Sequence, residues 1–489
     1  MWQGDAQVQH AAMSHSTLHR RRHDMERTPN TPETAAVDDA HSRSDPIDLV
    51  VVGGGLAGLC AAATAATDGL RVLLLEQRGL GGRAATTTVD PGVVFNAGPR
   101  AFYTGGPGEA ALLALGITVR GGQPDSAHSY GVLDGAVHRL PAGPLTLLRT
   151  PLLSARSKLA VGRLLATLGR IDPSTSASLS IGQWMRNAGL RDDAIALMGT
   201  VLRTATYSAD TETFSADAAI RQVQLALGPG VRYPDGGFAQ IIAALRDVAS
   251  RAGVEVVDHE SVRTVAPAAG GAAEGPGAGS DPTAPWRVQT ATRSIAARSV
   301  LVATGGPDAV ERLLPGPLDR SGIGEPVTGA CLELAVRREP DQPLLLGIDS
   351  PVYLSRHTPA AADLAPDGIT VVHVMRYGAR SSDEDRRDLW AHAGLAGLRP
   401  SDVVAERFLH RMVVTGGLPL AESGGLPGRP PVQVDGADGL FIAGDWVGDE
   451  GMLADAALAS GHRAARLAIE RRGRLVTERR ARPERAGAR

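Results

Sequence analysis

The spacing of apolar and polar positions changes along the chain, and each change marks an element. Ile47 to Val52, IDLVVV, is an almost unbroken β-branched run, the pattern of a parallel strand buried on both faces. A glycine-rich turn follows, and small apolar residues from Leu56 to Asp68 predict a closely packed helix. RVLLLE, Arg71 to Glu76, predicts a second strand and completes a βαβ unit. From Glu109 to Ala216 the pattern is mainly helical, with 3.6-residue spacing in LLSARSKLAVGRLLATLGRI. FAQIIAALRDVASRAG then predicts an amphipathic helix, VEVVD a short strand, and ARSVLVATGG a buried strand. Alternation in CLELAV and ITVVHVM, within about 320–425, predicts an antiparallel sheet with Cys331 opening one of its strands. GLFIAGD and a helix from about Met452 to Arg471 close the pattern.

A chain of 489 residues is too long for one ordinary core. The expected organisation is a disordered tail at 1–46, a discontinuous nucleotide-binding domain at 47–104, 217–310 and 430–471, a helical lobe at 105–216, and a substrate domain at 311–429. Gly, Ala and Pro dominate 267–285, which predicts a flexible loop, and 472–489 predicts a basic C-terminal tail. That tail reads as solvated, with contact to anionic lipid as the alternative. A net charge of −3 gives no long-range attraction to nucleic acid, and none is expected as a partner. The apolar stretch from Ile47 to Ala66 is broken by patterned glycines and has no basic flanks, so it does not read as a membrane span. Arg20, Arg21 and Arg22 are followed by no apolar segment, which argues against a secretory signal and for a cytoplasmic protein. Cys60 and Cys331 lie in apolar runs and read as buried thiols; the histidines are scattered, and no metal site is expected.

Gly53, Gly55 and Gly58 match G-x-G-x-x-G, a weak motif by itself in a chain with 59 glycines. Its context strengthens it. An apolar strand precedes it, a helix follows, and Glu76 ends the next strand. Gly53 permits the tight turn, Gly55 lets the backbone approach a pyrophosphate, and Gly58 lets the helix pack on the strand. Leu56 and Ala57 open that helix, whose N-terminal N–H groups favour an anion, and Glu76 can accept from both ribose hydroxyls. No apolar strand leads into Gly106-Pro107-Gly108, so a second nucleotide site is not expected.

EQRGLGGRAAT, with Gly81, Gly82 and Arg83 just past Glu76, resembles the extended FAD motif of the flavin amine oxidase, phytoene desaturase and protoporphyrinogen oxidase superfamily. FNAGPRAFY resembles that family's loop beside the isoalloxazine, which implies roles there for Gly98, Pro99 and Arg100. GLFIAGDWVG is similar to the closing flavin motif, which implicates Gly444 and Asp445. The resemblance also places the Val262 backbone against adenine and aims the helix start near Leu453 at the flavin N1/O2 edge, with Ala456 where a glycine is usual. It covers about residues 47–470. It implies an α/β fold: a two-dinucleotide-binding-type FAD domain with a Rossmann-like, mostly parallel sheet, an inserted helical lobe and an antiparallel-sheet substrate domain. The cofactor expected is noncovalent FAD, since neither cysteine falls in a motif placed near the flavin 8α-methyl group.

Many flavin amine oxidases carry a lysine near the flavin N5. Lys158 is the only lysine here, and it falls within the helical pattern. Trp446, Tyr377 and Tyr233 are the available residues for an aromatic cage. TATYSADTETFSADAA followed by GVRYPDGG is closer to the isoprenoid desaturases. The reading is therefore a phytoene-desaturase-like FAD oxidoreductase that passes hydride from an apolar, isoprenoid-like substrate to flavin N5, with oxygen or a quinone as acceptor and no catalytic side chain identified. Alternatives are a flavin amine or amino-acid oxidase, a protoporphyrinogen-oxidase-like enzyme, and a flavoprotein with a non-redox role. Peripheral membrane contact is the further partner considered.

Overall fold

Five parallel strands form the centre of the first sheet, in the order Glu255–Val257, Val72–Leu75, Ile47–Val52, Ser294–Val302 and Leu440–Ile442. The molecule is seen in a computed structural model that describes residues 46–268 and 284–481. The expected tail up to residue 45, most of the expected 267–285 loop, and residues 482–489 lie outside the described residues. Trp286–Thr290 and Val262–Pro267 continue the sheet antiparallel, along the N-terminal half of Ser294–Val302. Leu49, Val50 and Val51 are fully buried, and each such side chain contributes about 1.5–3 kcal/mol relative to exposure. The helix Leu56–Thr67 is apolar on all sides and buried over ten of its twelve residues. The closing helix lies against it so tightly that a Cβ on Gly461 would come 2.2 Å from the Ala57 carbonyl oxygen.

The second sheet is antiparallel but for one pairing, in the order Val403–Thr415, Val327–Val336, Thr370–Tyr377, Val352–Arg356, Leu344–Gly347, Ser129–Leu133 and Ala136–Arg139. Side chains alternate across it. Ala330, Leu332, Leu334 and Val336 pack with Leu389 and Ala393 of the helix Ser382–Leu395, while Cys331 joins the core of the helical region.

Three expectations are corrected. Residues 105–216 are not all helical: the hairpin Ser129–Arg139 leaves the helical lobe and supplies two strands to the second sheet. Its turn is Asp134-Gly135, both with positive φ, the two-residue turn whose twist suits a hairpin. The closing helix does not stop at Arg471 but runs from Leu453 to Ala481. Gly473 alone costs about 1 kcal/mol there, and Arg472 is tied back to the Gly69 carbonyl and to Asp48. Cys331 sits inside the strand Val327–Val336 and does not open it.

Candidate cofactor and active site

At the C-terminal end of Ile47–Val52 the chain turns through Gly53, whose N–H donates to the Leu75 carbonyl at 2.8 Å. A Cβ on Gly58 would lie 1.9 Å from the Gly53 oxygen, so a side chain there would push the helix off its strand. At Gly55 a Cβ would meet nothing within 4 Å. That open ground faces a helix start with no side-chain cap, where the N–H groups of Leu56, Ala57 and Gly58 have no partner within the helix. Glu76 is held at the end of its strand by two backbone donors, Gly54 N–H at 2.7 Å and Arg78 N–H at 2.8 Å. Gly81 N–H donates to the Gly54 carbonyl, and Gly82 lies against Gly55, so the second glycine motif is laid directly on the first.

Three arginines gather beyond this turn. Arg83 donates to both carboxylate oxygens of Asp445 at 2.9 and 2.8 Å. Asp445 also accepts from Gly416 N–H at 3.2 Å. Arg100 donates to the carbonyls of Arg83 and Ala97, locking the loop after Phe95 onto the Arg83 turn. Arg429 spends its donors on the carbonyls of Asp445, Glu450 and Gly451, which fixes the loop leading into the closing helix. The Asp445 charge raises Arg83 above the ordinary guanidinium value. Burial lowers Arg100, and so does the charge of Arg83. Burial brings Arg429 down to about 10 despite Asp445 and Asp217, and its Nε is buried without a partner.

The other wall comes from the second sheet and the helical lobe. Gly98, at φ +96, donates its N–H to Glu333 at 2.9 Å; a Cβ there would meet the Met412 sulfur at 2.5 Å. Glu333 is fully buried and also takes Arg407 at 2.5 Å and His373 at 3.3 Å. Burial works to raise its carboxyl, but His373 and Arg407 outweigh that and hold it at about 2. Beside Pro99 stand three tyrosines. Tyr353 and Tyr377 are stacked at 5.2 Å, Tyr207 meets both edge-on at 6.4 and 6.3 Å, and its hydroxyl donates to the Pro99 carbonyl at 3.4 Å. Burial raises all three phenols and the Cys331 thiol. Ala97, Tyr207 and Leu453 all take positive φ, backbone strain of the kind that collects at functional sites.

Hydrogen bonds and ion pairs tie Gly54 to Glu76 and Gly81, Arg83 to Asp445 and Arg100, Gly98 to Glu333, and Pro99 to Tyr207; Gly58 packs on Gly53 and Gly82 on Gly55, Leu56 and Ala57 follow Gly55 into the helix, and Gly444 is pinned by Ser460. Val262 is connected less directly, through Glu260 N–H to the Glu76 carbonyl. Leu453 starts the closing helix and packs with the lobe core, and no side-chain hydrogen bond joins it to the Arg83–Asp445 centre among the described residues. The three cage candidates do not meet. Trp446 is fully buried near Gly416 and Gly444, and Tyr233 stacks on His357 at 4.0 Å. Glu333, Arg407, Arg429, Tyr207 and Tyr353 were not singled out by sequence. Lys158 lies on the helix Ala155–Leu168 and donates to the Leu148 carbonyl.

These residues fit FAD. The open, uncapped helix start suits a pyrophosphate, the Arg83 guanidinium stands near it on Asp445, and the Glu76 carboxylate is held at the end of the next strand.

Comparison with known proteins agrees. The model of the family described as flavin containing amine oxidoreductase matches residues 56–469. No curated protein matches by sequence. Among solved structures, an oxidoreductase from Methanosarcina mazei superposes with a TM-score of 0.65 at 20% identity, over 84% of this chain and 98% of that one. Cyclohexylamine oxidase from Brevibacterium oxydans gives 0.64 at 16% identity, over 88% of this chain and 100% of that one. Putrescine oxidase bound to putrescine gives 0.63 at 18%, over 87% and 99%. At such identities these likenesses establish the fold.

Proposed function

Since the chain belongs to the flavin containing amine oxidoreductase family and is an FAD-dependent oxidoreductase, we propose that it dehydrogenates an apolar, isoprenoid-like substrate. The observation that carries this reading is that the groups next to Pro99 and Arg100 are either held protonated or already engaged: Glu333, the ionised carboxylate beneath the loop, is bound to Gly98 N–H, Arg407 and His373. The phenols of Tyr207, Tyr353 and Tyr377 are kept protonated by burial, and Lys158 is bound to Leu148 in the helical lobe. FAD, when bound, supplies the hydride acceptor at its N5. The chain's own residues then position and exclude water. Arg83, Gly55 and the first turn of Leu56–Thr67 would hold the pyrophosphate, Glu76 the ribose, and the Gly98–Arg100 loop the ring; Tyr207, Tyr353 and Tyr377 would present their ring faces to the substrate.

In this reading FAD is held noncovalently, the enzyme is cytoplasmic, oxygen or a quinone takes the electrons, and a membrane can supply the substrate. Cys60, buried in the helix Leu56–Thr67, and Cys331, whose thiol burial keeps protonated, are poor candidates for a flavin link. Acid precipitation is expected to release all the flavin into the supernatant.

Two observations favour a second reading, an amine oxidase: the tyrosine trio is an aromatic surface, and two similar structures are named as oxidases of amines. Anaerobic mixing of the holoenzyme with apolar isoprenoids and with primary amines separates the two. Loss of yellow colour with isoprenoids alone supports the dehydrogenase, and loss with amines alone supports the oxidase.

A further inference from the structure

Away from the cofactor site, the helical lobe turns two helices outward with an unusual surface. Pro144–Arg149 and Ala155–Leu168 each bury one face, through Leu147 and through Val161, Leu164 and Leu168, so their packing in the lobe is complete. The opposite faces expose Leu145 at 69%, Leu148 at 67% and Leu159 at 77%, with Leu165 also exposed. Large apolar side chains left this open on two neighbouring helices mark an interaction surface.

The charge around them has one sign. From Leu140 to Ile171 the chain carries Arg149, Arg156, Lys158, Arg163 and Arg170 and no acidic residue. The four arginines are exposed, and none is ion-paired to a described residue. Arg156, Leu159 and Arg163 follow one another on a single helix face. The flanking acids are already engaged, Asp172 with Ser174 and Asp193 with Ser154 and Ser157. Lys158 donates to the Leu148 carbonyl at 2.9 Å and so ties the short helix to the long one next to Leu159.

We propose that this face docks on an anionic lipid bilayer. Leu145, Leu148 and Leu159 enter the acyl boundary, and Arg149, Arg156 and Arg163 meet the lipid phosphates. Unpaired arginines interleaved with exposed leucines are the composition of an interfacial helix, basic on its polar face and apolar beside it. The surface is distinct from the basic C-terminal tail and does not depend on the identity of the substrate.

The test uses full-length holoprotein sedimented with phosphatidylcholine vesicles with and without phosphatidylglycerol. Binding is expected only with the anionic lipid and is expected to weaken with salt. The triple variant L145S/L148S/L159S, altered only at exposed positions, is expected to lose about tenfold or more in vesicle affinity while keeping its FAD absorbance and melting temperature. R149E/R156E/R163E is expected to lose as much, and it keeps the test decisive if the serine variant folds poorly. Absence of wild-type binding, or binding unchanged in both variants, overturns the proposal. So does a wild-type dimer, by light scattering, that the leucine substitutions split into monomers, because the face is then a contact between copies.

Discussion

Arg83 and Asp445, 362 positions apart, meet in a two-pronged ion pair that joins the loop after the second strand of the cofactor domain to the loop after its last. Asp445 is nearly buried and Arg83 is 38% exposed on its outer side. The pair therefore holds the two loops together as a unit. Substitution at either end is expected to weaken FAD binding, and the double variant R83A/D445A is expected to lose less than the sum. A double-mutant cycle on the FAD dissociation constant is expected to give a coupling of about 1–3 kcal/mol. Additive losses would mean that the two side chains act separately.

Glu76→Ala removes a carboxylate that is already organised by Gly54 and Arg78. FAD affinity is expected to fall by about 1–3 kcal/mol, the scale of losing charge-assisted hydrogen bonds. Titration of the apoprotein with FAD measures it, and an unchanged dissociation constant would show that the ribose is read elsewhere.

Glu333 is the buried brace beneath the Gly98 loop. Its carboxyl is held at about 2 in the folded protein against an ordinary 4.5, so its stabilising contribution is present above the unfolded value and is lost as pH falls toward 2. Glu333→Ala leaves the part-exposed Arg407 and the Gly98 N–H without their partner and is expected to cost about 1–3 kcal/mol at neutral pH. Glu333→Gln keeps an acceptor for Gly98 and is expected to cost less. In urea unfolding, the gap between wild type and Glu333→Gln is expected to narrow between about pH 6 and pH 3; a gap independent of pH contradicts the charge assignment.

Asp455, in the first turn of the closing helix, is pushed up to about 7, chiefly by burial, with one carboxylate oxygen left unpartnered. Here the sign is reversed. The folded state holds a proton that the unfolded state releases near 3.8, so stability is full at low pH and falls as pH rises through about 7. Asp455→Asn is therefore expected to gain in melting temperature relative to wild type between about pH 5 and 8.5. A constant difference across that range would show that Asp455 does not titrate there.

What was legible in the sequence was what local spacing encodes. The run IDLVVV, the glycines at 53, 55 and 58, and Glu76 specify a strand, a turn, a helix and a carboxylate within thirty residues, and the structure builds them in that order. Asp445 was legible as a motif, but its pairing with Arg83 was not, because nothing local records a contact across 362 positions. The tyrosines were harder still. Tyr207, Tyr353 and Tyr377 come from a helix end and two strands, and no periodicity relates them. Glu333 was hidden in CLELAV, where alternation makes a charged residue read as solvent-facing; its partners, Arg407 and His373, are on the adjacent strands. The Ser129–Arg139 hairpin did leave a signal in Asp134-Gly135, which the surrounding helical pattern obscured.

The most direct test of the proposed chemistry is the pH dependence of flavin reduction, measured anaerobically by stopped flow with an apolar isoprenoid substrate. Tyr207, Tyr353, Tyr377 and Cys331 are all held protonated by burial, so none of them supplies a base in the neutral range. The account expects a nearly flat profile between about pH 6.5 and 9. A rate that climbs about tenfold per pH unit with an amine, together with no reduction by any apolar hydrocarbon, would contradict it and identify the enzyme as an oxidase of amines.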